Sequence, residues 1–152
     1  MIKKYILIFI PVLGLLLSCS SPQKKQSAEK QLTGKIEIPQ SWVRPAAKGT
    51  NSAGYFSIYN GTQKADTLIG IESQGAENAE VHESYTTDEG LSGMRPAEVL
   101  AVPSGDSLIL EPGGYHVMLM NVKRDFAAGD TLELILKFSG ISPINVSAPV
   151  KE

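Results

Sequence analysis

The sequence predicts an all-β domain, an antiparallel β-sandwich or Greek-key barrel, and three observations carry that prediction. Apolar residues alternate with polar ones at period two, most plainly at Leu132, Leu134, Leu136 and Phe138 and again at Ile144, Val146, Ala148 and Val150. Turn formers separate such runs at Asn60-Gly61, Pro103-Ser104-Gly105, Glu111 to Gly114, Gly129-Asp130 and Ser139-Gly140. Beyond the first 19 residues no window sustains a helical period. Strand side chains project alternately to two faces, so this pattern describes half-buried strands closed by tight turns. Many short strands at regular spacing argue for two packed sheets.

The chain opens on a targeting segment. Lys3 and Lys4 precede an apolar run from Tyr5 to Leu17 that Pro11 and Gly14 interrupt. At about a dozen residues this run is short for a membrane span and suited to a signal-peptide core. Leu16-Leu17-Ser18-Cys19 closes it and resembles a bacterial lipobox, in which Cys19, the single cysteine, is lipidated and becomes the mature N-terminus. Residues 1–18 are then a lipoprotein signal peptide. A multi-chain lipid anchor is enough for stable membrane attachment. Ser20 lacks the aspartate that commonly marks inner-membrane retention, which favours the outer membrane for a periplasm-facing protein.

Residues 19–34 carry Ser, Gln and Lys with almost no apolar side chains and read as a flexible tether. Residues 35–152 then suit one domain with one core. Without Lys3 and Lys4 the basic count falls from 14 to 12 against 16 acids, a net charge of about −4. No basic run follows the tether, so nothing points to nucleic acid. Expected strands lie at Ile36 to Ile38, Gly54 to Tyr59, Asp66 to Ile71, Asn78 to Tyr85, Ala97 to Val102, Ser107 to Leu110 and Tyr115 to Met120. Two more follow in the Leu132 and Ile144 runs.

Chemistry concentrates between Glu80 and Met120. Both histidines of the chain, His82 and His116, lie there, with Met94 and Met118 beside them. Alternation makes His116 and Met118 neighbours on one face while Val117 and Leu119 turn to the core. Gly113-Gly114 allows a tight turn just before them. The stretch Thr86 to Gly93 reads as a hairpin loop that folds Met94 back over His82. Two imidazoles and two thioethers are a soft donor set that favours Cu(I) over harder ions. Singly, each residue has an ordinary structural role, and Met120 reads as core filler beside the site.

Ligand spacing and flanks together resemble the periplasmic copper chaperone family PCuAC, whose members carry His-Met-x10-Met-x21-His-x-Met. Here the motif reads His82-Glu83, ten residues, Met94, twenty-one residues, His116-Val117-Met118. Trp42-Val43-Arg44, Gly54-Tyr55-Phe56 with Asn60, Met94-Arg95-Pro96, Pro112-Gly113-Gly114 before His116, and Gly129-Asp130 also match. The resemblance spans Ile36 to Val150. It implies a cupredoxin-like fold, Cu(I) held by His82, Met94, His116 and Met118, and delivery toward the CuA centre of cytochrome c oxidase. The family's optional methionine is Glu83 here, which either faces solvent or orients a ligand and adds affinity for the harder Cu(II). Trp42 is expected in the core and Tyr115 on the rim of the site.

The residues speak against enzyme chemistry. A thioether-rich set disfavours cycling to Cu(II), and both histidines are already used, leaving no base for a serine or cysteine nucleophile. A blue-copper site needs a thiolate, and Cys19 lies in the lipobox. Copper delivery, plain copper buffering and a metal-free adhesive or scaffold module remain as the alternatives. Ligation requires neutral imidazole, so affinity should fall as pH drops through the ordinary imidazole range, about 6.5, while thioethers do not titrate.

Overall fold

The structure is a computed structural model and describes residues 32–97 and 99–152. The expected signal peptide, Cys19 and nearly all of the expected tether lie outside the described residues. The described part is all-β, without a helix. Its strands are β1 (Ile36–Glu37), β2 (Ser41–Val43), β3 (Ser52–Asn60), β4 (Asp66–Ser73), β5 (Ala76–Thr86), β6 (Ser92–Pro96), β7 (Leu100–Val102), β8 (Ser107–Leu110), β9 (Tyr115–Val122), β10 (Thr131–Phe138) and β11 (Ile144–Pro149).

Two antiparallel sheets face each other. The larger runs β1-β3-β9-β5-β6, with β2 and β8 also paired to β3, and the smaller runs β11-β10-β4-β7. The long strand β3 organises the larger sheet: β1 and β2 share one of its edges, β8 and β9 the other. Between the sheets the period-two residues interdigitate. Gly54, Phe56, Ile58, Val117 and Leu119 meet Leu68, Leu134, Leu136, Val146 and Ala148, and the nine of these with side chains are nearly or wholly buried. A fully buried aliphatic side chain of this size stabilises the fold by about 1.5–3 kcal/mol.

Of the buried polar residues among those described, one is wholly enclosed. Asn60, fully buried at the end of β3, donates to the carbonyls of Lys64 and Val102, each at 2.8 Å, and accepts from the Thr62 amide and hydroxyl. Burying an amide costs free energy unless its bonds are replaced; here they tie the Asn60-Gly61 turn to β7.

The structure departs from the expected elements in three places. Trp42 and its neighbours form the strand β2, too short to show a period. The hairpin loop is shorter than expected, because β6 already begins at Ser92. The strand expected from Ala97 begins only at Leu100.

Candidate metal centre

Three adjacent strands of the larger sheet, β6, β5 and β9, bring the candidate ligands to its outer face. Val81 and Val117 point into the core, so alternation turns His82, Ser84, His116 and Met118 outward. The β5–β9 register sets His82 directly opposite His116 and Glu80 opposite Met118. The two imidazole ring centres are 6.1 Å apart with their planes tilted by 57°. An imidazole nitrogen sits about 2 Å from a bound first-row ion, so rings flanking one ion have centres roughly 5–6 Å apart.

Met94 reaches this face on the returning strand of the expected hairpin, but not directly over His82. On β6 it stands opposite Ser84, while His82 stands opposite Pro96. Met94 is therefore the diagonal neighbour of His82, a separation that long side chains span. The candidate ligands thus come from three neighbouring strands. A cleft of ≈ 480 Å³ opens here, lined by Met94, His116, Met118, Tyr55, Ser84 and Arg44 among others; His82 is not among its lining residues and adjoins it through His116. The donor set grades outward: His116 is 4% exposed and Met94 56%.

The turn before β9 aims His116. Gly113 has φ 85°, a left-handed conformation that glycine adopts without strain. The Glu111 amide donates to the Tyr115 carbonyl at 2.7 Å, closing the turn. Gly114 then presents its carbonyl 3.2 Å from Nδ1 of His116. Behind His116 the Tyr55 ring lies at 6.4 Å, and Trp42 stacks on Tyr55 at 4.5 Å. Nζ of Lys151 stands 5.7 Å over the Trp42 ring.

The residues expected around the ligands sort by strand parity. Glu83 is one residue past His82, so it points to the opposite face, where Arg95 donates to its carboxylate at 2.7 and 2.9 Å. That bond raises the Arg95 pKa above its ordinary value. Glu83 thus faces away from His82 and is engaged by Arg95. Tyr115, opposite Glu83, packs against the core and not on the rim. Trp42 is the reverse: it belongs to the aromatic stack beside the site. Met120 continues the outer face beyond Met118, half-buried opposite Asn78, and does not line the cleft.

Sequence reasoning missed Glu80 and Tyr55. Oε2 of Glu80 lies 3.4 Å from Nε2 of His82. The signal was available, since Glu80 precedes His82 by two residues and alternation puts the pair on one face. Among the described residues no three His, Cys, Asp or Glu side chains form a group that could hold a metal ion.

Known proteins share this architecture. The copper-bound PCuAC domain from PmoF2 superposes with a TM-score of 0.63 at 24% identity, covering 78% of this chain and 93% of that one. The solution structure of CuI-DR1885 from Deinococcus radiodurans gives 0.59 at 28% identity, covering 82% and 85%. In sequence, the protein named "Putative lipoprotein Lxx21020" of Leifsonia xyli subsp. xyli is 30% identical over 131 residues, 86% of this chain and 78% of that protein. The uncharacterized protein RP573 of Rickettsia prowazekii is 31% identical over 108 residues, 68% of this chain and 59% of its own length. The family described as "Putative lipoprotein LpqE-like" matches residues 36–150, from β1 to the end of β11. Because that match takes in both sheets and every outward-facing His and Met of the cleft, the chain belongs to the LpqE-like family.

Proposed function

We propose that this protein is a lipid-anchored, extracytoplasmic copper carrier that holds Cu(I) through His82, Met94, His116 and Met118 and hands it to an acceptor protein. The observation that carries the reading is the cross-strand pair His82–His116, 6.1 Å between ring centres, with Met118 two residues along one strand and Met94 diagonal to the other. Neutral imidazoles and thioethers hold a soft monovalent ion without a charged cage. Incoming ligands can therefore replace them one at a time. The exposed thioether of Met94 is the natural first to leave, and that exposure favours handing on over storage. No electron moves: Cu(I) leaves as Cu(I), and the imidazoles are left neutral. The copper-bound PCuAC and CuI-DR1885 structures lend support, since those proteins carry copper on the same fold.

Two finer points belong to the proposal. The acceptor we favour is the CuA centre of cytochrome c oxidase, on the strength of the motif His82-Glu83-x10-Met94-x21-His116-Val117-Met118. The anchor is a lipidated Cys19, supported by the lipobox and by the lipoprotein description of the family. Competition for Cu(I) against a chromophoric chelator, under reductant, tests the site. His116→Ala and Met118→Ala should each lose affinity, and near-wild-type affinity in both ends the proposal. Mixing the loaded protein with an apo CuA domain tests delivery: copper should move to the acceptor. A mass spectrum of membrane-extracted protein with unmodified Cys19 would reject the anchor.

A further inference from the structure

We propose that Glu80 is a positioning residue that holds the Nε2 proton of His82, so that the two imidazoles offer copper different nitrogens: Nδ1 of His82 and Nε2 of His116. The inference rests on the copper-carrier reading and deepens it.

Hydrogen-bond chemistry assigns both tautomers. An ionised carboxylate only accepts, as does a backbone carbonyl, whereas a neutral imidazole carries one donor and one acceptor nitrogen. Glu80 Oε2 lies 3.4 Å from Nε2 of His82, so Nε2 bears the proton and the lone pair sits on Nδ1. The Gly114 carbonyl lies 3.2 Å from Nδ1 of His116, so there the proton is on Nδ1 and the lone pair on Nε2.

The surroundings favour this role for Glu80 over its neighbours. Strand parity sets it on the face of His82, and the register sets it opposite Met118, at the flank of the ligand group. Its side chain is 51% exposed, while that of His82 is only 14% exposed. Glu83, the other nearby carboxylate, is engaged by Arg95 on the opposite face. A carboxylate on the distal N–H of a ligating imidazole fixes the ring and raises the basicity of the ligating nitrogen; losing such a partner weakens metal binding by about 10–100-fold.

Long-range proton–nitrogen NMR correlations on the copper-free, nitrogen-15-labelled protein, recorded above the imidazole titration range, read the tautomers directly. The expected result is Nε2–H for His82 and Nδ1–H for His116. In Glu80→Ala the His82 signals should move to a tautomer mixture while those of His116 stay. Glu80→Gln, whose amide oxygen still accepts, should restore the His82 pattern. With Cu(I) added, the coordination shift should fall on Nδ1 of His82 and Nε2 of His116. Cu(I) competition should show Glu80→Ala weaker by about 10–100-fold, with most of that loss recovered in Glu80→Gln.

An Nδ1–H tautomer for His82, or copper on its Nε2, overturns the inference. So does an equal loss of affinity in both variants, which would make the carboxylate itself a ligand. A wild-type protein that takes up no Cu(I) overturns the carrier reading and the copper half of the inference, while the copper-free tautomers still decide whether Glu80 holds His82.

Discussion

Replacing Met94 with alanine separates copper affinity from folding more cleanly than a change at His116. Met94 is 56% exposed on the edge strand β6, so removing its thioether opens no buried cavity. A surface truncation of this kind shifts stability by about 0.5 kcal/mol or less, which is about 2 °C in melting temperature for a domain of this size. Copper adds a linked term, because a ligand of the native state stabilises it by RT ln(1 + [L]/Kd). With free Cu(I) buffered at about a thousand times the wild-type Kd, the gain is about 4 kcal/mol, or roughly 15 °C. A hundredfold weaker site, a loss of about 2.7 kcal/mol, would keep only about 1.4 kcal/mol, roughly 6 °C, at the same free copper. Thermal melts followed by circular dichroism, with chelator-buffered Cu(I) and reductant, compare the two proteins directly. We expect coincident copper-free melts and a copper-induced rise that is less than half of wild type in Met94→Ala. An undiminished rise would remove Met94 from the ligand set. At His116, 4% exposed beside Tyr55, the substitution also disturbs packing and lowers the copper-free melt, so it discriminates less well.

Glu83→Met, which installs the family's optional methionine, should leave Cu(I) and Cu(II) affinities unchanged by chelator competition, because position 83 faces away from the ligands. Asp66 sets a pH dependence of stability. Burial works against its charge, but hydrogen bonds donated by the Thr67 amide, the Ser139 hydroxyl and the Gly140 amide outweigh it and hold its pKa below the ordinary value of 3.8. A depressed folded pKa contributes stability that is complete above the unfolded pKa and is lost as pH falls through the folded one. Asp66→Asn should therefore cost about 1–3 kcal/mol at neutral pH, and its urea midpoint should converge on wild type in acid. A gap that stays constant with pH would contradict that sign. Leu134→Ala, at a fully buried position of β10, should lower stability by about 2–5 kcal/mol in urea titration. It should leave Cu(I) affinity intact below the transition, since Leu134 belongs to the other sheet.

Most of the fold was legible because strand alternation is a local property. In β10 the buried residues are Leu132, Leu134, Leu136 and Phe138, the ones whose spacing announced the strand. The same parity correctly separated His116 and Met118 from Val117 and Leu119. Short elements were harder to read: β2 has three residues, which is too few to display a period, and its pairing with β3 makes it a strand. Parity favoured turning Glu83 away from His82, and the same parity read two residues before His82 would have set Glu80 on its face.

By itself the sequence determined which residue types were on hand for a soft metal and which face of its own strand each one takes. Only the tertiary structure decided who stands beside whom: His82 across from His116, Met94 across from Ser84, Trp42 in the stack beside the cleft and Tyr115 against the core. The reason is that alternation follows from the geometry of a single extended chain, whereas register between strands is settled by turns, by a second sheet and by residues far along the sequence. A slip of one residue exchanges every inward side chain for an outward one.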